Sequence, residues 1–146
     1  MGLLPQILTG SANSTIQDEK DATLAPKISA IDSLVDLTKL TSMEVHNRVL
    51  AYSEWPGTHC IIKFENDVQP PVKVKLLATA VIDAETEIKQ PSSQEVKMAK
   101  CNSRHCMKLR CKDNTMLAVF DILPENRKPM DAKSFWNGLR GKKIFV

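Results

Sequence analysis

The spacing of apolar residues changes character along the chain. Leu3, Leu4, Ile7 and Leu8 fall on one helical face, with Pro5 in a first turn and Gly10 as a stop, so a short helix is expected over 2–10. A helix this short is not stable in water by itself. It is therefore read as the last helix of a larger preceding domain. Residues 11–40 form a polar connection, Ser- and Asp-rich at first, with Pro26 and Lys27 near its middle. Thr41-Ser42-Met43-Glu44 then has the pattern of a capping box, and Leu40 and Val45 stand where a hydrophobic staple would. Val45 and Val49 carry this second helix to about Tyr52, and Trp55-Pro56-Gly57 ends it.

From His59 the period becomes two. Strands are expected at Cys60–Phe64, at Val72–Ile82, across Glu95–Cys101, through Met107–Cys111, and from Met116 to Leu123. Between them lie a polar turn at 65–67, a polar loop at 83–93, and Asp113-Asn114, where Asn accepts a positive φ. Asp131 is placed to cap a closing helix, with Met130 and Phe135 as its staple and Phe135, Trp136 and Leu139 facing inward. The expected fold is mainly β: a small, five-stranded, OB-like antiparallel barrel with a leading and a trailing helix. Short antiparallel strands in that number commonly close in this way, which removes exposed edges. The domains implied are a remnant over 1–23, a linker over 24–40 and a barrel over 41–146.

Composition adds little until charge is divided by position. The 146 residues carry a formal charge of +3, but residues 1–54 hold four bases and seven acids, and residues 55–95 hold four and six. Residues 96–146 hold twelve bases and four acids. A positive block of this kind suits a polyanion, and nucleic acid is the usual one. No apolar run approaches the length needed to cross a bilayer, and no secretory signal is legible at the start. Four cysteines in such a chain read as reduced thiols.

The residues able to do covalent chemistry do not assemble on paper. His46 adjoins Asn47 on a helix, where neighbours diverge by about 100°. His59–Cys60 and His105–Cys106 adjoin on strands, whose consecutive side chains face opposite ways. Cys101, Cys106 and Cys111 are spaced five apart, which puts alternate cysteines on opposite faces, although a turn near Asn102-Ser103 can bring two together. Neither a catalytic nor a metal site is expected. Trp55, Trp136 and the methionines at 43, 98, 107, 116 and 130 read as core.

Three stretches carry a family resemblance. The run Asn47-Arg48 to Trp55-Pro56-Gly57-Thr58 resembles the opening of the carboxy-terminal domain of folate-dependent formyltransferases. The run from Leu123 through Arg127-Lys128-Pro129-Met130, Ala132 and Phe135 to Asn137-Gly138 is similar to the ending of methionyl-tRNA formyltransferases. Gln17-Asp18-Glu19 and Ala22-Thr23-Leu24-Ala25-Pro26-Lys27-Ile28 resemble that family's interdomain linker. The chain departs from the pattern where Ser103-Arg104-His105, Lys112-Asp113-Asn114 and Asn126 stand in place of frequent glycines, and where Leu123 replaces a frequent Gln.

The resemblance implies a domain that grips initiator methionyl-tRNA for translation initiation. The formyl donor, 10-formyltetrahydrofolate, and the catalytic Asn, His and Asp belong to a preceding α/β domain. The chain alone is thus expected to be inactive and monomeric, and its place of work, by analogy with eukaryotic members, a mitochondrion or plastid. The same resemblance assigns tRNA contact to Lys27 in the linker, Arg48 on the second helix, and Lys97, Lys100, Arg104, Lys108, Arg110, Lys112, Arg127 and Lys128 in the basic third. Two alternatives stay open: the equivalent domain of another folate-dependent formyltransferase, or an independent RNA-binding barrel.

Overall fold

The computed structural model describes residues 4–13, 16, 18–65, 69–82 and 94–146. The expected loop over 83–93 and most of the turn at 65–67 lie outside these residues. Among these residues three α-helices, α1 (Leu4–Leu8), α2 (Ser42–Ala51) and α3 (Ala132–Gly138), accompany seven strands. The strands are β1 (Thr58–Phe64), β2 (Val72–Ile82), β3 (Lys97–Cys101), β4 (Arg104–Arg110), β5 (Met116–Pro124), β6 (Met130–Asp131) and β7 (Ile144–Phe145).

Every strand pairing is antiparallel, in the order β3-β4-β5-β2-β1-β7, with β6 added to β5. Five long strands thus become seven, because two two-residue strands in the last seventeen residues carry too little periodicity to be read from sequence. The sheet curls on itself. The Val96 N–H donates to the Ile144 carbonyl at 2.9 Å, and the Val146 N–H to the Gln94 carbonyl at 3.2 Å. The residues leading into one edge strand, β3, therefore bond to the other edge strand, β7. The β2–β5 register shifts twice between Leu76 and Thr79, the kind of irregularity that sharpens local twist.

The inner face of the curl is filled by Ile62, Val74, Leu76, Met107, Leu109, Leu117, Val119 and Ile122, all buried. Val45 and Val49 of α2 and Ala132, Phe135 and Leu139 of α3 close over this core. Both helices start as their sequences dictate. The Thr41 hydroxyl accepts from the Glu44 amide, and the Glu44 carboxylate accepts from the Thr41 amide at 2.7 Å. The Asp131 carboxylate accepts from the Ser134 amide at 2.6 Å. Part of the polar connection is built into the domain, because Val35 and Leu37 join the core and the Val35 N–H donates to the His59 carbonyl at 2.8 Å.

Two apolar expectations fail. Trp55, next to a cis bond to Pro56, is 61% exposed, and Met43 is exposed too, because each lies on the solvent side of α2 or its exit. The stripe Leu4, Ile7 and Leu8 on α1 is likewise uncovered among the described residues. The glycine of the Trp-Pro-Gly turn has a physical cause. Gly57 sits at φ +80°, and a Cβ there would stand 2.5 Å from the Lys75 side chain, which lies across it to donate to the Ser53 carbonyl at 3.1 Å.

Candidate nucleic-acid interface

The β3–β4 hairpin sets the geometry. Across its ladder Lys97 faces Lys108, Ala99 faces Cys106 and Cys101 faces Arg104, and residues directly opposite share a side of the sheet. Met107 and Leu109 point into the core, so Lys97, Arg104, Lys108 and Arg110 stand on the outer side. The next strand continues this surface with small or apolar residues, since Lys108 faces Ala118 and Arg110 faces Met116. Four cations thus share the outer side, and Cys106 and Ala118 between them are fully buried.

The Arg104 guanidinium meets the Asp121 carboxylate at 3.0 and 3.3 Å and lies over the Phe120 ring, 5.0 Å from its centroid. Lys100 faces His105 on the other side of the hairpin from Lys97. Lys112, expected to continue the β4 row, leaves it, because β4 ends at Arg110 and a tight turn follows. There the Lys112 N–H donates to the Leu40 carbonyl at 2.9 Å. Its charge, with that of Arg48, falls on Glu44, whose carboxyl is held below its usual range chiefly by the backbone and side-chain hydrogen bonds from Thr41. Arg48 and Lys112 therefore form a second group around the start of α2. Lys27 is exposed in the linker, and Arg127 and Lys128 are exposed in the turn after β5.

Sequence reasoning missed a third basic group. His59 faces Lys75 and Ile61 faces Lys73 across β1–β2, and Lys63 falls on the same side. The signal lies in the alternation Val72-Lys-Val-Lys-Leu76, which by itself specifies only a strand. The His59 imidazole is held below its usual pKa first by burial and then by the charges of Lys73 and Lys75.

The thiols separate into two pairs. The turn at Asn102-Ser103 brings the Cys101 and Cys106 sulfurs to 2.8 Å on the outer side, while Cys60 and Cys111 lie in the core. Burial pushes Cys60, Cys106 and Cys111 up to about 12 each. Buried thiols of that acidity are inert as nucleophiles. His46 Nδ1 shares a 2.9 Å hydrogen bond with the Thr79 hydroxyl, away from any cysteine or carboxylate named above. Among the described residues no three His, Cys, Asp or Glu side chains come together as a metal site would require, and no helix is long and apolar enough to cross a membrane.

Comparison with known proteins adds a family. Residues 27–140 match the family described as "Formyl transferase, C-terminal domain". The chain is similar to the methionyl-tRNA formyltransferase of Nitratidesulfovibrio vulgaris, 28% identical over 135 residues, which covers 92% of this chain and 38% of that protein. It is 27% identical to the enzyme of that name from Lactobacillus delbrueckii subsp. bulgaricus over 141 residues, 97% of this chain and 40% of that protein. Against the one from Bacillus pumilus identity is 34% over 91 residues, 58% of this chain and 28% of that protein. The chain thus spans about two-fifths of the length of the first two relatives.

Proposed function

Because this chain belongs to the formyl transferase carboxy-terminal domain family, we propose that it is the tRNA-holding part of a methionyl-tRNA formyltransferase. The observation that carries this reading is the outer side of β3–β4, where Lys97, Lys108 and Arg110 stand together. Phosphate contacts need fixed positive charges spaced along a surface, and they supply affinity without reading bases. In this reading the charge of Arg104 is neutralised by Asp121, and the residue braces the hairpin. Arg48 and Lys112 form a second contact region nearer the linker, with Lys27 leading away from it.

We further read the curled sheet as an OB-like barrel, with the bonds from Val96 and Val146 across to the opposite edge as its closure. The linker and remnant boundaries follow the same logic. Leu4, Ile7 and Leu8 expose an apolar stripe suited to lying on another domain.

The contribution to formylation is positional. A domain that grips the body of a folded tRNA raises the effective concentration of the methionyl end at a donor site elsewhere in the enzyme. The donor in this reading is 10-formyltetrahydrofolate, held by the catalytic domain, and the product is formylated initiator methionyl-tRNA. Nothing in this chain's own thiols or histidines supplies a nucleophile for the transfer.

The test is retention of folded tRNA by the full chain across a salt series. Binding should weaken steeply as salt rises, with the logarithm of affinity falling by about 0.7–0.9 per neutralised phosphate for each tenfold rise. Negligible binding at every salt would favour the equivalent domain of a small-molecule formyltransferase. Preference for unstructured oligonucleotides over folded tRNA would favour an independent RNA-binding barrel.

A further inference from the structure

A cleft of about 190 Å³ opens at the far end of β5, where the β5–β6 turn meets the segment that follows α3. Phe64, Val72 and Met130 contribute an apolar floor, and Arg127, Arg140 and Lys142 contribute three cations. Among the described residues no acid lines it. None of the three cations makes an ion pair among the described residues, whereas the neighbouring Lys143 is engaged by Glu65 at 3.6 Å.

The cations sit on tight turns. Asn126 at φ +58° precedes Arg127, whose N–H donates to the Pro124 carbonyl at 3.1 Å. Arg140 at φ +52° and Gly141 at φ +82° reverse the chain after α3, and the Lys142 N–H donates to the Leu139 carbonyl at 3.1 Å. These turns set the backbone positions from which the three side chains extend over the cleft. An apolar floor lowers the local dielectric and strengthens each charge–charge contact above it.

We propose that this cleft binds a phosphate group of the RNA backbone, a second grip distinct from the β3–β4 surface; the inference rests on the tRNA-binding reading. Three cations around a concavity that no described carboxylate lines match the charge and donor needs of a phosphodiester. The separation is set by β5, since Phe120 and Pro124 lie roughly 13 Å apart along an extended strand. That places the cleft beyond the reach of the Arg104–Asp121 pair.

The experiment compares the full chain with two variants. One combines Arg127→Gln, Arg140→Asn and Lys142→Gln, with Asn chosen because it tolerates the left-handed backbone at 140. The other combines Lys97→Gln with Lys108→Gln. Amide spectra are recorded during titration with inorganic phosphate, and tRNA affinity is measured across the salt series. Phosphate should shift the signals of Arg140, Gly141 and Lys142 in the parent and not in the first variant. That variant should also bind tRNA several-fold more weakly, with a salt slope flatter by about 0.7–0.9. If the parent binds tRNA, the second variant weakens it and the first does not, the cleft assignment is overturned while the tRNA reading survives. Phosphate shifts at the cleft without any effect of the first variant on tRNA would mark a free-anion site and overturn the RNA assignment. A parent that binds no tRNA overturns both.

Discussion

Lys97 stands directly opposite Lys108 across the β3–β4 ladder, on the outer side of the sheet. Like charges so placed cost a strand pair roughly 0.2–1 kcal/mol relative to neutral residues. Positive charge on this side of the sheet suits an anionic partner. Replacing both lysines with Gln should leave thermal stability within about 0.5 kcal/mol of the parent, as for ordinary surface changes. Affinity for tRNA should fall, and the salt slope should flatten by about 0.7–0.9 for each phosphate that is no longer neutralised. Melting curves beside gel shifts decide the matter. Weaker binding accompanied by a large drop in stability would mean that the lysine stems pack the hairpin.

Arg104 makes the opposite prediction from the same strand. Its side chain is 59% exposed, yet its guanidinium is committed to Asp121 and Phe120. An ion pair this open contributes at most about 1 kcal/mol. Arg104→Gln should therefore cost little stability and leave the salt slope of tRNA binding unchanged. A double-mutant cycle with Asp121→Asn measures the pair itself. A salt slope that falls for Arg104→Gln as much as for Lys108→Gln would show that RNA displaces Asp121.

Much of this arrangement is legible in the sequence, and the reasons differ by element. Thr41 and Glu44 specify a helix start through local hydrogen bonds alone, and Asp131 does the same for α3. The outward row of Lys108 and Arg110 follows from the period of a strand. Positive φ at Asn114 and Asn126 is readable because the short polar side chain of Asn tolerates that region. What stays hidden depends on distant partners. Lys112 leaves its row because its backbone is drawn to Leu40, seventy-two positions earlier. Trp55 misses its expected place in the core, and no local pattern states that. Arg127, Arg140 and Lys142 meet only through the tertiary fold, so the basic block announces charge without announcing a cleft.

His59 should make stability depend on pH. Its ring is half-buried, and burial first, then Lys73 and Lys75, keep its pKa below the usual 6.5, against a raising hydrogen bond to the Ser33 backbone. The folded state thus takes up this proton less readily than the unfolded chain. Above about pH 6.5 neither state is protonated here and the group is silent. As pH falls below that value the unfolded chain is protonated first, so stability declines until the folded pKa is reached. Urea midpoints at about pH 7.5 and about pH 5.5 should differ more for the parent than for His59→Gln. Equal differences would remove His59 from the account.

The cysteines should react in a fixed order. Cys60, Cys106 and Cys111 are buried, with thiols raised to about 12, whereas Cys101 is only half-buried at the end of β3. Alkylation requires the thiolate and a path for the reagent, and the first three lack both. Iodoacetamide at about pH 8 should therefore modify Cys101 alone in the native chain. The other three should follow only when urea opens the core. Mass spectrometry of peptides from timed samples reads the order directly. Cys106 is the sharpest case, because its sulfur lies 2.8 Å from that of Cys101 on the outer side of the sheet. Its protection depends on its own burial, so Cys101→Ser should leave it unlabelled. Labelling of Cys106 in the native parent at the rate of Cys101 would show that the β3–β4 hairpin opens far more often than its ladder and buried inner residues allow.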